Sequence, residues 1–366
     1  MEPITLLDSL VRSVSVAGDA LIDVLVLFAV MCVAQAFYRS TYFVPSSEKW
    51  KSVRLNFNEE VVGKSNFALA ISLAGYLIGI AIASTGMLDP DFPWKADGLL
   101  EKALTMFSIG MVATAFMRLS LVINDRFILS KFSNLKEISF NNVGVACVEA
   151  GGCIATGFIL SGALTTKADS VQDQFGYGLV YWLLGQAALV VGTCCYRLIC
   201  GYDLDQNLEC KCHDFTDRKI NAPISLSAGL AFGGFLVAIG LIVQAALTKA
   251  GTAGFSMEDI ERVLLPETVT VLVFVGIGLL LLMLGKLVLN KAIFPVVSQE
   301  TGHGNVGAAA LAAAVSICIG FLYASSIWFS AMNATKEADG ARGAFLSGLH
   351  EAIVAPAEPA KAPAAK

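Results

Sequence analysis

The sequence predicts an all-α integral membrane fold, with eight transmembrane helices in four parallel two-helix repeats that form two tandem four-helix halves. Three observations predict it. Hydrophobic residues make up 56% of the chain and charged residues only 15%, against about 25% charged in a soluble domain. The mean hydropathy is +0.69. Eight continuous apolar runs have the length of about 20 residues that a helix needs to cross a bilayer. An Asn followed by small residues recurs at Asn66, Asn142, Asn221 and Asn305, at intervals of 76, 79 and 84 residues. A fixed period of this size marks an internal repeat.

In chain order the spans are expected near 18–38, 66–88, 103–123, 142–163, 177–199, 222–247, 268–290 and 306–331. The runs are continuous rather than alternating, which excludes a transmembrane β-barrel. Each odd span ends on a cation: Arg39, Arg118, Arg197 and Lys286. A polar loop follows, and then the Asn, placed to cap the next helix by accepting from its first free amides. The repeat unit is therefore helix, basic stop, polar loop, Asn cap and second helix. The N-terminal 20 residues carry no pattern of a cleaved signal peptide.

The loops inside the four units hold 5, 4, 4 and 2 basic residues, while the connectors between units hold 2, 1 and 2 and are rich in Asp and Glu. By the positive-inside rule the inner loops are expected in the cytoplasm, with both termini outside. All four units then enter in the same direction, as parallel repeats. The expected halves are 1–166 and 172–332, related by a near-twofold axis along the membrane normal. Residues 333–366 form an extramembrane tail whose Ala/Pro-rich end is expected to be disordered. Because the Asn-initiated helices carry the small residues, they are expected to pair at the centre. Gly75-x-x-x-Gly79 and Gly229-x-x-x-Gly233 mark their contact faces.

Few residues suggest chemistry. Glu149 lies seven residues past Asn142, about 10 Å into its span at 1.5 Å per residue. A carboxylate there is costly and by default marks an ion path, a proton relay or a partner on another helix. Gln35, Gln186 and Gln244 are the other long polar side chains near membrane depth. They would either line a polar seam with Glu149 or hydrogen-bond between helices. The four basic stops would either snorkel to the interface or bind anionic lipid headgroups. Cys200, Cys210, Cys212 and His213 share one loop, but their spacing is no standard zinc pattern. No metal or cofactor is expected, and the nine Cys read mainly as small packing residues. No phosphate-cradling loop, His-Glu-x-x-His or Gly-x-Ser-x-Gly occurs, and no enzyme or nucleic-acid function is expected.

The second spans open with Asn-x-Ala-x-Ala-x-Ser-x-x-Gly at Asn66, and the odd spans end in Arg118-Leu119 and Arg197-Leu198. These residues resemble the bacterial inner-membrane family called domain of unknown function 350, YjfL-like, here as two tandem copies over nearly the whole chain. The fourth unit departs from the pattern, with Lys286 in place of Arg and a shorter loop. The resemblance implies four spans per copy and supplies no catalytic or binding residue. It also implies membrane-maintenance or envelope-stress work. The expected function is thus a non-enzymatic scaffold or lipid-organising component, with the bilayer and other membrane proteins as partners. The alternative is a cation or proton channel or transporter using Glu149.

Overall fold

The computed structural model describes residues 6–40, 43–45, 52–54, 57–86, 98–165, 171–200, 204–208, 215–250, 260–288, 291, 301 and 303–354. The long helices are α1 (Leu6–Ser40), α2 (Phe67–Thr85), α3 (Leu99–Ile123), α5 (Val143–Leu164), α6 (Val171–Ile199), α8 (Phe215–Ala250), α9 (Ile260–Val288) and α10 (Val306–Val354). Two short helices, α4 (Asn134–Ser139) and α7 (Leu204–Leu208), lie in the loops, with a small hairpin of β1 (Phe43–Pro45) and β2 (Ser52–Arg54). Among the described residues, eight stretches are long and apolar enough to span: Ala20–Ser40, Phe67–Thr85, Leu100–Ile128, Val143–Leu164, Phe175–Ile199, Ile224–Lys249, Pro266–Val288 and Val306–Ser330. They match the expected spans to within a few residues. The helix of the last span continues to Val354, while residues 355–366 lie outside the described residues.

Three of the four repeated Asn residues open a helix by the same local device. Asn66 accepts from Leu69 N at 3.0 Å, Asn142 from Val145 N at 3.3 Å and Asn305 from Ala308 N at 3.1 Å. Each is preceded by a residue of positive φ: Ser65 (52°), Asn141 (62°) and Gly304 (93°). That left-handed residue turns the loop sharply into the helix axis. Asn221 is different. Its helix already begins at Phe215 and runs through it, so Asn221 does not open α8, and its side chain lies outside the described residues. The residue before it is Ile220, and a β-branched side chain strongly disfavours positive φ. The turn the other units use is closed to this one, and the helix continues.

The second helices of the four units form one row in the order α2, α5, α8, α10, and the most extensive contacts among the described residues lie along it. The odd helices line up beside it as α1, α3, α6, α9. Phe116 stacks on Trp182 at 5.1 Å, and Trp182 Nε1 donates to Ser120 Oγ at 2.9 Å, which ties α3 to α6 within that second layer. The small residues therefore do lie at the centre. The expected twofold axis does not hold, because it would set α5 against α10. The observed order is a step repeated in one direction. The reason lies in α5 and α8, which carry small residues on two opposed faces. Towards α2, α5 presents Ala150 and Gly157 to Gly75 and Gly79; towards α8, it presents Gly144 and Gly151 to Gly229 and Gly233. On its other side α8 presents Gly234 to Ala313. A helix that is small on both sides passes the row on rather than closing a pair.

Candidate functional site

The caps place polar side chains at set depths. Ser72 stands six residues past Asn66 and Glu149 seven past Asn142, so both reach about 10 Å along helices that start on the same side. Ser72 Oγ donates a short hydrogen bond to Glu149 Oε1. Tyr38, from the last turn of α1, bonds Ser72 Oγ at 2.6 Å. Glu149 is 5% exposed, and Tyr38 and Ser72 are fully buried. The Arg118 guanidinium lies 5.8 Å from the Tyr38 ring centre, and its charge reaches Glu149. A buried carboxylate is tolerable in lipid only with such donors and a cation near it. Four helices thus converge on one carboxyl: α1, α2, α3 and α5.

The four residues expected along an ion pathway are not brought together. Gln186 donates to Thr156 Oγ1 at 3.2 Å, and Gln244 to Ser161 Oγ at 3.2 Å. Thr156 and Ser161 lie 7 and 12 residues beyond Glu149 on α5, about 10 and 18 Å further along the helix. Gln35 is half-buried on α1 and shares no described hydrogen bond with the others. These are separate interhelix bonds, made at different depths along α5. A second carboxylate buried within a span, Glu267, lies at the opposite end of the bundle, where it accepts from Tyr181 Oη at 2.6 Å. It was not singled out from the sequence because it sits at the first turn of its span, beside acidic residues of the connector.

The basic stops turn inward. Arg39 lies over the Phe57 ring at 4.9 Å, and Arg197 donates to Asp205 Oδ1 and Ile128 O, both at 2.8 Å. Lys286 is 6% exposed, with its ammonium 5.4 Å from the Tyr196 ring centre. Each of the four, Arg118 included, lies near an aromatic ring or an acceptor of the protein. Cys200 is buried, and Cys210, Cys212 and His213 lie outside the described residues.

On the loop side, side chains join each unit to the next. Asn66 Nδ2 donates to Ile138 O at 3.1 Å. Asn142 Nδ2 donates to Leu208 O at 2.8 Å, while its Oδ1 accepts from Ser225 Oγ at 2.6 Å. Ser227 Oγ donates to Thr301 O at 2.6 Å. The model of a family described as Domain of Unknown Function (DUF350) matches twice, over residues 15–164 and 170–327. The chain belongs to the DUF350 family. A relative described as UPF0719 transmembrane protein, from Aquifex aeolicus (strain VF5), is 22% identical over 265 residues, which is 72% of this chain and 87% of that one. No solved structure matches.

The two DUF350 copies can be set side by side. Tyr196 stands where Tyr38 does, each just before its basic stop, and Lys286 lies over Tyr196 as Arg118 lies over Tyr38. Counted from the repeated Asn residues, Ser227 matches Ser72, Ala231 matches Tyr76 and Ala312 matches Glu149. In the second copy Tyr196 packs on Phe232 and Phe235 at 4.9 and 4.8 Å. The frame recurs, but the carboxylate does not. Tyr38 and Ser72 escaped notice in the sequence, although the Tyr before Arg39 and Arg197 was a visible signal.

Proposed function

We propose that this protein is a non-enzymatic scaffold or lipid-organising component of a bacterial inner membrane, serving membrane maintenance or the response to envelope stress. One observation carries the reading: the row α2, α5, α8, α10 packs backbone against backbone. A Cβ added at Gly151 would meet the carbonyl oxygen of Gly233 at 2.5 Å, and one at Gly240 would meet Cα of Ala155 at 2.5 Å. Contacts this close suit a rigid, dry slab better than a conduit. The sorted loop charges support an orientation with the inner loops in the cytoplasm and both termini outside. Anionic lipid and other membrane proteins are the partners this reading takes. The units 1–166 and 172–332 are read as its two halves.

A second reading, passage of protons or cations through Glu149, draws on the buried carboxylate cluster of the first copy. Vesicles carrying wild type and Glu149→Gln separate the two readings. The scaffold reading expects equal proton and cation leak in both, at matched protein levels. A flux in wild type that falls in Glu149→Gln, while the variant still inserts, would reject it.

A further inference from the structure

Beside Glu149 two buried polar atoms have no hydrogen-bond partner in the protein: Tyr76 Oη and Asn124 Oδ1. Tyr76 is fully buried and Asn124 is 4% exposed. Asn124 lies against α5 at Gly152, three residues past Glu149. Tyr76 follows Ser72 by one helical turn on α2, and Cys153 follows Glu149 by one turn on α5, so the four line one seam. The Tyr76 ring lies 5.0 Å from that of Tyr38, and the charge of Arg118 reaches Tyr76, Cys153 and Glu149 alike. Asn124 enters from the other side. It begins the wide π turn Asn124–Ile128 that ends the α3 span, and its Nδ2 rests on Gly152, where a Cβ would meet it at 2.5 Å. π turns of this kind inside long helices frequently mark functional sites.

Leaving such groups unsatisfied is costly. A donor hydroxyl and an acceptor amide oxygen beside a carboxylate are the two to four polar partners a buried water takes. Along the row in the other direction the seam is shut, because Gly79 meets the Cys153 carbonyl and Gly157 meets Gly79. We propose that the first copy holds an internal water site between Tyr76 Oη, Asn124 Oδ1 and the Glu149 cluster, and that the second copy has none. In the second copy Phe235 packs on Tyr196 as Tyr76 packs on Tyr38, and Ala231 packs with Ala309 and Ala312 in a small apolar cluster. The site stands apart from the scaffold reading, since ordered water beside a carboxyl serves a rigid slab and a proton path equally.

Hydroxyl-radical footprinting of the full chain in nanodiscs tests it, because radicals made from a bound water label the side chains around that water. Tyr196 is the internal control, buried to 1% and packed on Phe232 and Phe235. Tyr76 is expected to be labelled several-fold faster than Tyr196, despite being at least as buried. Equal rates in the wild-type protein would overturn the proposal without any variant. Asn124→Leu should then bring the Tyr76 rate down to that of Tyr196. Should that variant fail to fold, Tyr76→Phe should slow labelling of Cys153, and an unchanged Cys153 rate would also overturn the site.

Discussion

In the first copy Ser72 donates to Glu149 and is itself bonded to Tyr38, over whose ring the Arg118 guanidinium lies. In the second, Tyr196 sits against Phe232 and Phe235, and Ala312, which the count from Asn305 sets where Glu149 stands, packs with Ala231 and Ala309. Both copies keep the glycines of the row. The fold therefore depends on small residues and on the stitching of its loops, whereas the carboxylate cluster is an addition the fold does not need. Whatever distinguishes the copies in function belongs with that cluster.

The largest expected effect should not distinguish the copies at all. Gly79→Leu in the first copy and Gly234→Leu in the second would each drive a side chain into the neighbouring helix, onto Cys153 and Ala313 respectively. Each should cost about 3 kcal/mol or more, since overpacking a close contact without room to relax is at the upper end of such costs. Thermal unfolding in detergent, with recovery of monodisperse protein, measures both. A marked difference between the two would mean that the row is not one structure.

Nearly as large, and specific to one copy, is the effect of Ala312→Glu. Ala312 is 1% exposed and packs with Ala231 and Ala309 in its apolar cluster. A carboxylate placed there without donors should cost about 3 kcal/mol. Stability close to wild type would show that the second copy retains a usable polar site.

The loop-side stitches should differ by a smaller margin. Asn142→Ala removes a cap and the bonds to Leu208 O, Glu137 and Ser225, for a loss of about 2 kcal/mol. Asn305→Ala, at an exposed cap, should lose about 1 kcal/mol or less. Chemical unfolding of the two variants measures the difference, and equal losses would put the stitching role of Asn142 in error.

The smallest effect concerns Lys64, on the surface just before the first cap. Its amine donates to Glu60 at 2.6 Å, and that hydrogen bond, with the Glu60 charge, raises its pKa above the ordinary 10.5. A raised lysine contributes its stabilisation below the unfolded pKa and loses it as pH rises through the folded one. Any stability change should therefore appear only in alkaline solution. Amine-labelling rates give the finer measure: Glu60→Gln should make Lys64 react faster near pH 10. No change in rate would show that the pair does not form.

Much of this was legible in the sequence. The eight spans follow from run length alone, and the central place of the Asn-initiated helices follows from where Gly and Ala collect. Glu149 stood out because its matches in the other units are apolar or small. Its partners did not, since a Tyr and a Ser on separate helices reveal nothing of depth until two caps fix it. The cap at Asn221 failed for a local reason, the β-branched Ile220 in the position that must adopt positive φ. The twofold axis does not follow from parallel repeats alone, because the faces of α5 and α8 decide which helices meet. A helix with one small face forms a pair; α5 and α8 have two.

The order of the row is the claim on which the rest stands, and cysteine cross-linking tests it directly. In a chain freed of its native cysteines, Thr85→Cys with Ser161→Cys joins α2 to α5, where the two hydroxyls lie 3.1 Å apart. Ser161→Cys with Gln244→Cys joins α5 to α8, and Ala231→Cys with Ala312→Cys joins α8 to α10. All three pairs should form disulfides under mild oxidation in the membrane, while Ser161→Cys with Ala324→Cys, which would bring α5 to α10, should not. A strong α5–α10 cross-link with a weak α5–α8 one would contradict the one-directional row and restore the twofold arrangement.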